Sequence, residues 1–237
     1  MKTVLITGVS QRLGLFLADH FLAHQYQVIG TYRTERDSIK TLRDKGADLY
    51  QVDFYDLSQT QSFISDVTVR YSAINCIIHN ASDWSGDKGE LDYAAYHDVF
   101  QRMMTIHVEV PYQLNLAFGS LLQSEKERAD IIHVTDYVAF KGSKKHIAYA
   151  ASKAALENLT LSFAQRFAPR IKVNSIAPAL LAFNEWDDED YKVKARGKAI
   201  LNTEGSFQEA LDAIQMLMQS DYITGRVIHL DGGRHLI

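Results

Sequence analysis

Cysteine is all but missing from this chain of 237 residues: Cys76 stands alone, so no internal disulfide can form. Proline is scarce as well. With 3 Pro, 13 Gly and no low-complexity tract, collagen-like and intrinsically disordered readings are excluded. No apolar run reaches the roughly 18 residues needed to cross a bilayer. Neither sign of charge dominates, with 25 basic against 29 acidic side chains and a formal charge of −4. Such a balance supplies no whole-molecule attraction to nucleic acid or anionic lipid, and neither is an expected partner. The 9 His show no zinc-ligand spacing joined to Cys or carboxylates, so no metal is expected. The start, Met1-Lys-Thr-Val-Leu-Ile-Thr-Gly8, lacks the long apolar stretch and cleavage site of a signal peptide. The expectation is a cytoplasmic protein in which Cys76, within Ile74-Asn-Cys-Ile-Ile78, is a packed thiol.

What is present is a large apolar fraction, 46%, arranged in a regular alternation. Short β-branched runs recur at Thr3–Thr7, Gln27–Tyr32, Leu49–Val52, Cys76–His79, Asp130–Thr135, Lys172–Ile176 and Val227–Leu230. Between most of them the apolar spacing is helical, as in Leu13, Phe16, Leu17, Phe21 and again Leu156, Leu159, Phe163, Phe167. This order predicts an α/β fold with a parallel sheet covered by helices on both faces. No linker-like stretch interrupts it, so residues 1–237 read as a single domain. In such sheets ligands bind beyond the carboxyl ends of the strands.

The first strand runs into Thr7-Gly-Val-Ser-Gln-Arg-Leu-Gly14 and then an amphipathic helix. Gly8 and Gly14 permit a sharp turn and close approach, and the helix start, with Arg12 and Leu13, offers unpaired N–H groups to a pyrophosphate. In that strand-turn-helix setting a dinucleotide site is favoured over an ordinary turn. The second strand ends Thr31-Tyr-Arg-Thr34, with Arg33 where an NAD site carries an acid. Arg33 would attract a 2′-phosphate, which selects NADPH; its alternative is a solvated surface charge. Asp53, after the third strand, is placed either to accept from the adenine amino group or to serve as a turn or capping aspartate.

A Tyr with a Lys four residues on, sharing one helical face, is a sensible acid/base unit, because a nearby ammonium favours the phenolate. Two such pairs occur, Tyr137/Lys141 and Tyr149/Lys153. Tyr137 falls in a strand-end loop, whereas Tyr149-Ala-Ala-Ser-Lys153 reads as continuous helix and is the pair preferred here.

Taken together, Thr7-Gly8…Gly14, His79-Asn80-Ala81, Tyr149-x-x-x-Lys153, Val173-Asn174…Pro178 and Asp231-Gly-Gly233 resemble the short-chain dehydrogenase/reductases in order and spacing. The resemblance spans essentially the whole chain. It implies a Rossmann-like, doubly wound sheet of seven strands and a nicotinamide cofactor. It also implies Tyr149 as proton donor, with Lys153 bridging the nicotinamide ribose and lowering the tyrosine's pKa. Asn80 and Ala81 would support the cofactor, and the chain from Pro178 to Leu181 would meet its carboxamide.

Three positions depart from the general family pattern. Arg12 replaces a glycine of the first loop, Asp136 replaces a serine thirteen residues before Tyr149, and His107 replaces a catalytic asparagine. The first two resemble the pteridine reductase variant. An ionised carboxylate repels a developing alkoxide but suits the amino-pyrimidine edge of a pterin, and Arg12 could reach a pterin carbonyl. Longer stretches, among them Thr135-Asp-Tyr-Val138, Lys145-His-Ile-Ala-Tyr-Ala-Ala-Ser-Lys153 and Asp231-Gly-Gly-Arg-His-Leu236, resemble the subfamily of bacterial dihydromonapterin reductases, which also reduce dihydrofolate. Trp84 matches the position of an aromatic ring stacked on the pterin, its alternative being a partly buried core tryptophan. Ser82 is a candidate contact to both ligands. The role of His107 is open.

The expected activity is therefore NADPH-dependent reduction of 7,8-dihydromonapterin to tetrahydromonapterin, with dihydrofolate as second substrate. Catalysis falls to Asp136, Tyr149 and Lys153, and substrate binding to Arg12, Ser82, Trp84, Asp136 and Tyr149. The rivals are a reductase of a ketone or sugar carbonyl and a non-catalytic NADP(H)-sensing module. The family resemblance further implies a homodimer or homotetramer. The run Trp186-Asp-Asp-Glu-Asp-Tyr191 reads either as a lid or as a solvated helix start with acids near its N-terminus.

Overall fold

A computed structural model describes residues 1–87, 92–122 and 128–237. Its strands are β1 (Thr3–Ile6), β2 (Gln27–Tyr32), β3 (Asp48–Gln51), β4 (Cys76–His79), β5 (Ala129–Val134), β6 (Ile171–Pro178) and β7 (Val227–Leu230). They form one sheet in the order β3-β2-β1-β4-β5-β6-β7 with parallel pairing throughout. The expected doubly wound sheet of seven strands is therefore present. Strand bounds differ from the sequence reading by at most two residues, the largest difference being β6, which continues to Pro178.

Alternation along each strand assigns its side chains to two layers, since successive residues of a pleated strand point to opposite faces. Val4 and Ile6 of β1 pack with Leu17 and Phe21 of α1 (Arg12–Ala23), Ile39 and Leu42 of α2 (Asp37–Asp44) and Leu211, Ile214 and Leu217 of α9 (Phe207–Gln219). Leu5, between them, joins the opposite layer with Phe63 of α3 (Leu57–Arg70), Leu114 and Phe118 of α5 (Val110–Phe118) and Phe163 of α7 (Ile147–Phe167). Cys76 lies at the start of β4, fully buried, and burial pushes its thiol pKa up. His79 and His133 are core residues too: His79 Nε2 meets Asn115 Oδ1 at 2.8 Å, and His133 meets Asn115 Nδ2 at 3.2 Å and Thr160 Oγ1 at 2.8 Å.

The long helix expected around 96–122 is broken into α4 (Tyr93–Met104), a π-helical turn (Thr105–Glu109) and α5. The break has a cause. Pro111 lacks an N–H and its ring excludes the carbonyl four residues back, that of His107, so the backbone inserts a wider turn there. Tyr137 precedes a one-turn helix, α6 (Val138–Lys141), rather than lying in an open loop. The acidic run at 186–191 enters α8 (Glu189–Arg196), where the Asp188 side chain caps by accepting from Tyr191 N at 2.7 Å. That placement matches the helix-start reading. Strand order reverses between β1 and β4, which opens a crevice beyond their carboxyl ends.

Candidate active site

That crevice is a cleft of about 400 Å³. Gly8, Arg12, Leu13, Gly14, Arg33, Asp53, Asn80, Ala81, Ser82, Asp136, Tyr149, Lys153, Pro178 and Leu181 all line it. The sequence reading thus places its residues on a single surface, with one exception. Trp84 is not among the lining residues.

The end of the cleft beside β1 is made largely of backbone. Gly8 has φ +77°, and a Cβ there would meet Ala81 Cα at 3.0 Å. At Gly14 a Cβ would meet Gly8 O at 2.0 Å and Asn80 Nδ2 at 2.5 Å, so no side chain fits. Asn80 is the pin of this loop: its Nδ2 donates to Thr7 O at 3.0 Å and Gly8 O at 2.9 Å, while Thr7 Oγ1 accepts from Asn80 N and Ala81 N. The first turn of α1 has no side-chain cap and no acid, which leaves its N–H groups facing the cleft for an anion.

At the far end of the same wall, Arg33, Thr34 and Arg36 gather. Arg33 lies over the Tyr55 ring at 5.7 Å and 4.0 Å from Asp83, whose carboxylate also pairs with Arg102 and accepts from the Tyr55 hydroxyl at 2.9 Å. Arg33 is thus part of a charge cluster at the rim. Asp53 is a turn aspartate whose Oδ1 accepts from Tyr55 N at 3.1 Å, and it also lines the cleft.

The other end of the cleft is made of side chains. The Tyr149 hydroxyl donates to Asp136 Oδ2 at 2.9 Å, and Asp136 Oδ1 accepts from Val138 N at 2.9 Å. Lys153, buried one turn along α7, donates to Val134 O at 2.9 Å and sits 5.7 Å from the Tyr149 ring centre. Burial brings the Lys153 pKa down to about 8, and the Asp136 charge opposes that shift. Burial likewise raises Asp136. For Tyr149 the structure reverses the expectation: burial, then the neighbouring Asp136 charge, raises its pKa well above 10, so the phenol is held protonated rather than drawn towards neutrality by Lys153.

His107 is brought into this group by the π-helical turn. Its Nε2 lies 2.7 Å from Ser82 Oγ and its Nδ1 2.8 Å from Ser152 Oγ. Ser152 donates to Tyr149 O at 2.8 Å, so its oxygen accepts from Nδ1–H and Nε2 is left to accept from Ser82. Burial, with the Lys153 charge adding to it, takes the His107 pKa down to about 2, and the ring is neutral. Ser82 also lies within hydrogen-bond reach of the Tyr149 hydroxyl and 3.3 Å from Asp83 O, and its single proton serves one of these acceptors or His107 Nε2 at a time.

Two expected orientations differ. Arg12 takes a left-handed φ of +52°, which carries its side chain across the cleft; its guanidinium donates to Asn184 Oδ1 at 2.8 Å and Ala182 O at 2.9 Å, and lies 5.9 Å from the Phe207 ring. These contacts hold the guanidinium on the wall of the cleft, between the first loop and residues 182–184. Trp84 is 60% exposed, which overturns the core alternative, and its ring lies 4.5 Å from that of His146 rather than over the cleft. Its backbone N–H donates to Asp83 Oδ1 at 2.8 Å, so the charge cluster at the rim fixes where this loop points.

Sequence reasoning missed Ser10, Arg36, Tyr55, Asp83 and Phe207 as lining residues. Arg36 carried a usable signal, three positions after Arg33. Phe207 carried none, since only the tertiary fold brings the start of α9 to the first loop.

The family model described as enoyl-(acyl carrier protein) reductase matches residues 8–235. The dihydromonapterin reductase of Klebsiella pneumoniae is 47% identical over 236 residues, covering 99% of this chain and 97% of that protein. That of Escherichia coli K12 is 46% identical over 234 residues, covering 98% and 96%. Among solved structures, FolM alternative dihydrofolate reductase 1 from Brucella canis, complexed with NADP, superimposes with a TM-score of 0.86 at 27% identity, covering 100% of this chain and 94% of its own.

Proposed function

The chain belongs to the short-chain dehydrogenase/reductase family, and on that premise we propose that it is an NADPH-dependent reductase of dihydropteridines. Its main reaction is 7,8-dihydromonapterin to tetrahydromonapterin, with dihydrofolate to tetrahydrofolate as a second activity. The residues fit the dinucleotide: a long cleft, a glycine turn that admits close approach, an uncapped helix start for the pyrophosphate and Arg33 with Arg36 for the 2′-phosphate. When bound, the nicotinamide supplies hydride to the carbon of a C=N bond.

The protein's own groups then handle the proton and the pose. Tyr149 Oη, kept protonated by burial and by Asp136, holds a proton beside the ring nitrogen that must accept one. Asp136 has the right charge to accept from an amino-pyrimidine edge, and the wrong one to stabilise an alkoxide. Lys153 positions the ribose and offsets the negative charge of Asp136. Ser82 meets His107 and lines the cleft, and Trp84 gives an exposed aromatic face beside the catalytic end. The observation that carries the reading is the 2.9 Å hydrogen bond from Tyr149 to Asp136 at the end of the cleft that Lys153 also lines.

A cytoplasmic setting is part of this reading and is consistent with the single, buried, unpaired cysteine; among the described residues no helix is long and apolar enough to cross a membrane. A homodimer or homotetramer is supported by Tyr96, Phe100 and Tyr112, large apolar side chains exposed along α4 and α5. The test is direct. Purified protein with NADPH and dihydromonapterin should consume the absorbance of the reduced cofactor; no turnover of any dihydropteridine, with a ketone or sugar reduced instead, overturns the proposal.

A further inference from the structure

Outside the catalytic end of the cleft stands a group of cations that the catalytic reading does not use. On α8 the charges alternate between paired and unpaired. Lys192 meets Glu189 at 2.7 Å and Arg196 pairs with Glu204 at 2.5 Å. Lys194 and Lys198, exposed on and just beyond the same helix, form no ion pair with a carboxylate among the described residues. Nor do Lys145 and Arg234.

The four are neighbours although they come from three separate segments. Arg234 Nη2 and Lys198 N both donate to Ala195 O, at 2.9 and 3.3 Å, which puts the C-terminal turn against the end of α8. Arg234 also lies over the ring of Tyr137, next to Asp136, at 5.3 Å, and its charge reaches the Asp136 carboxyl. Lys145 belongs to the segment leading into α7: its carbonyl accepts from Asp87 N at 2.9 Å, the following residue, His146, carries Trp84 on its ring, and the Lys145 charge acts on Lys198. Beyond burial, every charge acting on Lys198 is a cation, namely Arg234, Lys194 and Lys145, and together they lower its pKa.

Apart from the Asp136 carboxyl that Arg234 reaches, these cations face one another rather than a paired carboxylate, and cations grouped beside a cleft raise the local concentration of anions. The geometry points to a receiving site, formed by Lys145, Lys194, Lys198 and Arg234, for an anionic substituent that trails from the pteridine ring out of the catalytic end. This inference rests on the pteridine reading and extends it to a substrate class: dihydropteridines bearing a polyanionic tail. Such a tail carries either carboxylates, as in oligo-γ-glutamyl chains on dihydrofolate, or phosphates, as in a phosphorylated propyl side chain. A neutral pterin gains nothing from the patch.

Steady-state kinetics with NADPH separate these cases. The probes are dihydrofolate with one and with three γ-linked glutamates, and dihydromonapterin with and without a triphosphate ester. In low salt, kcat/KM should rise roughly five- to tenfold from one glutamate to three, or from the neutral pterin to its triphosphate, as added charges meet the patch. The pair that shows the gain names the anion. The gain should vanish at about 0.5 M KCl and in the triple variant Lys145→Gln/Lys194→Gln/Lys198→Gln, all exposed positions, with neutral dihydromonapterin as internal reference. Equal kcat/KM within both pairs overturns the inference while leaving the pteridine reading intact, and so does a gain that survives both salt and the triple variant. If dihydromonapterin itself is not reduced, the pteridine reading fails and this inference falls with it.

Discussion

At the β1 end of the cleft the working groups are backbone amides, a turn built on Gly8 and Gly14 and an uncapped helix start, held in shape by Asn80. At the catalytic end they are side chains, and Asp136, Tyr149, Lys153 and His107 each have a pKa moved by burial and by one another. The first end recognises a shape that any backbone of the right curvature can cradle, so its failure mode is steric. The second depends on which groups hold protons, and its failure mode is electrostatic. Removing an atom should matter most at the catalytic end, and adding one should matter most at the other.

The largest effect expected is at Tyr149. Tyr149→Phe deletes the hydroxyl that Asp136 accepts from and takes away the proton held beside the substrate, so kcat should fall about 10²- to 10⁴-fold. NADPH affinity, measured by fluorescence titration, should stay unchanged; an equal loss in both quantities would erase the distinction between the two ends. Gly14→Ala is the mirror experiment. Its added methyl runs into Gly8 O and Asn80 Nδ2, atoms of the loop itself. A cost of about 3 kcal/mol, roughly 100-fold, should appear in NADPH affinity and in thermal unfolding. Arg33→Ala is milder, because the side chain is half exposed and Arg36 lines the same wall. About a tenfold rise in KM for NADPH is expected, with KM for NADH unaffected.

The same contrast explains what could be read before the structure was seen. The backbone-built end follows local rules, glycines at fixed spacing between a strand and a helix, and Gly8, Gly14, Asn80 and Ala81 lie where those rules put them. Tyr149 and Lys153 were legible because their spacing sits on one continuous helix. The orientation of Arg12 was not, since its partners Ala182 and Asn184 lie some 170 residues away. Nor was the upward shift of the Tyr149 pKa, which depends on how deeply Asp136 and the phenol are buried together rather than on the Lys spacing. Trp84 shows the same limit: its loop is set by Asp83, and Asp83 by Arg102 and Tyr55 from two other elements.

The smallest kinetic effect, and the finest test, is at His107. An asparagine there can accept from Ser82 through Oδ1 and donate to Ser152 through Nδ2, reproducing both contacts of the neutral ring, so His107→Asn should change kcat only about two- to fivefold. His107→Leu can do neither and should lose more. The pH dependence of stability tests whether that ring is neutral in the fold, while the split in kcat between His107→Asn and His107→Leu separates positioning from mere packing. The folded ring resists protonation down to about 2, whereas the unfolded chain takes a proton near 6.5. Its contribution is therefore complete above 6.5 and is lost as pH falls below that value, at about 1.4 kcal/mol per pH unit. The buried His79 and His133 add the same sign of slope to wild type and variant alike, so they cancel in the difference. In urea unfolding from about pH 7.5 to 5.5, wild type should lose about 1.4 kcal/mol more than His107→Asn. Parallel curves would mean that the imidazole already takes a proton in the fold, and a neutral His107 ring held between Ser82 and Ser152 would have to be abandoned.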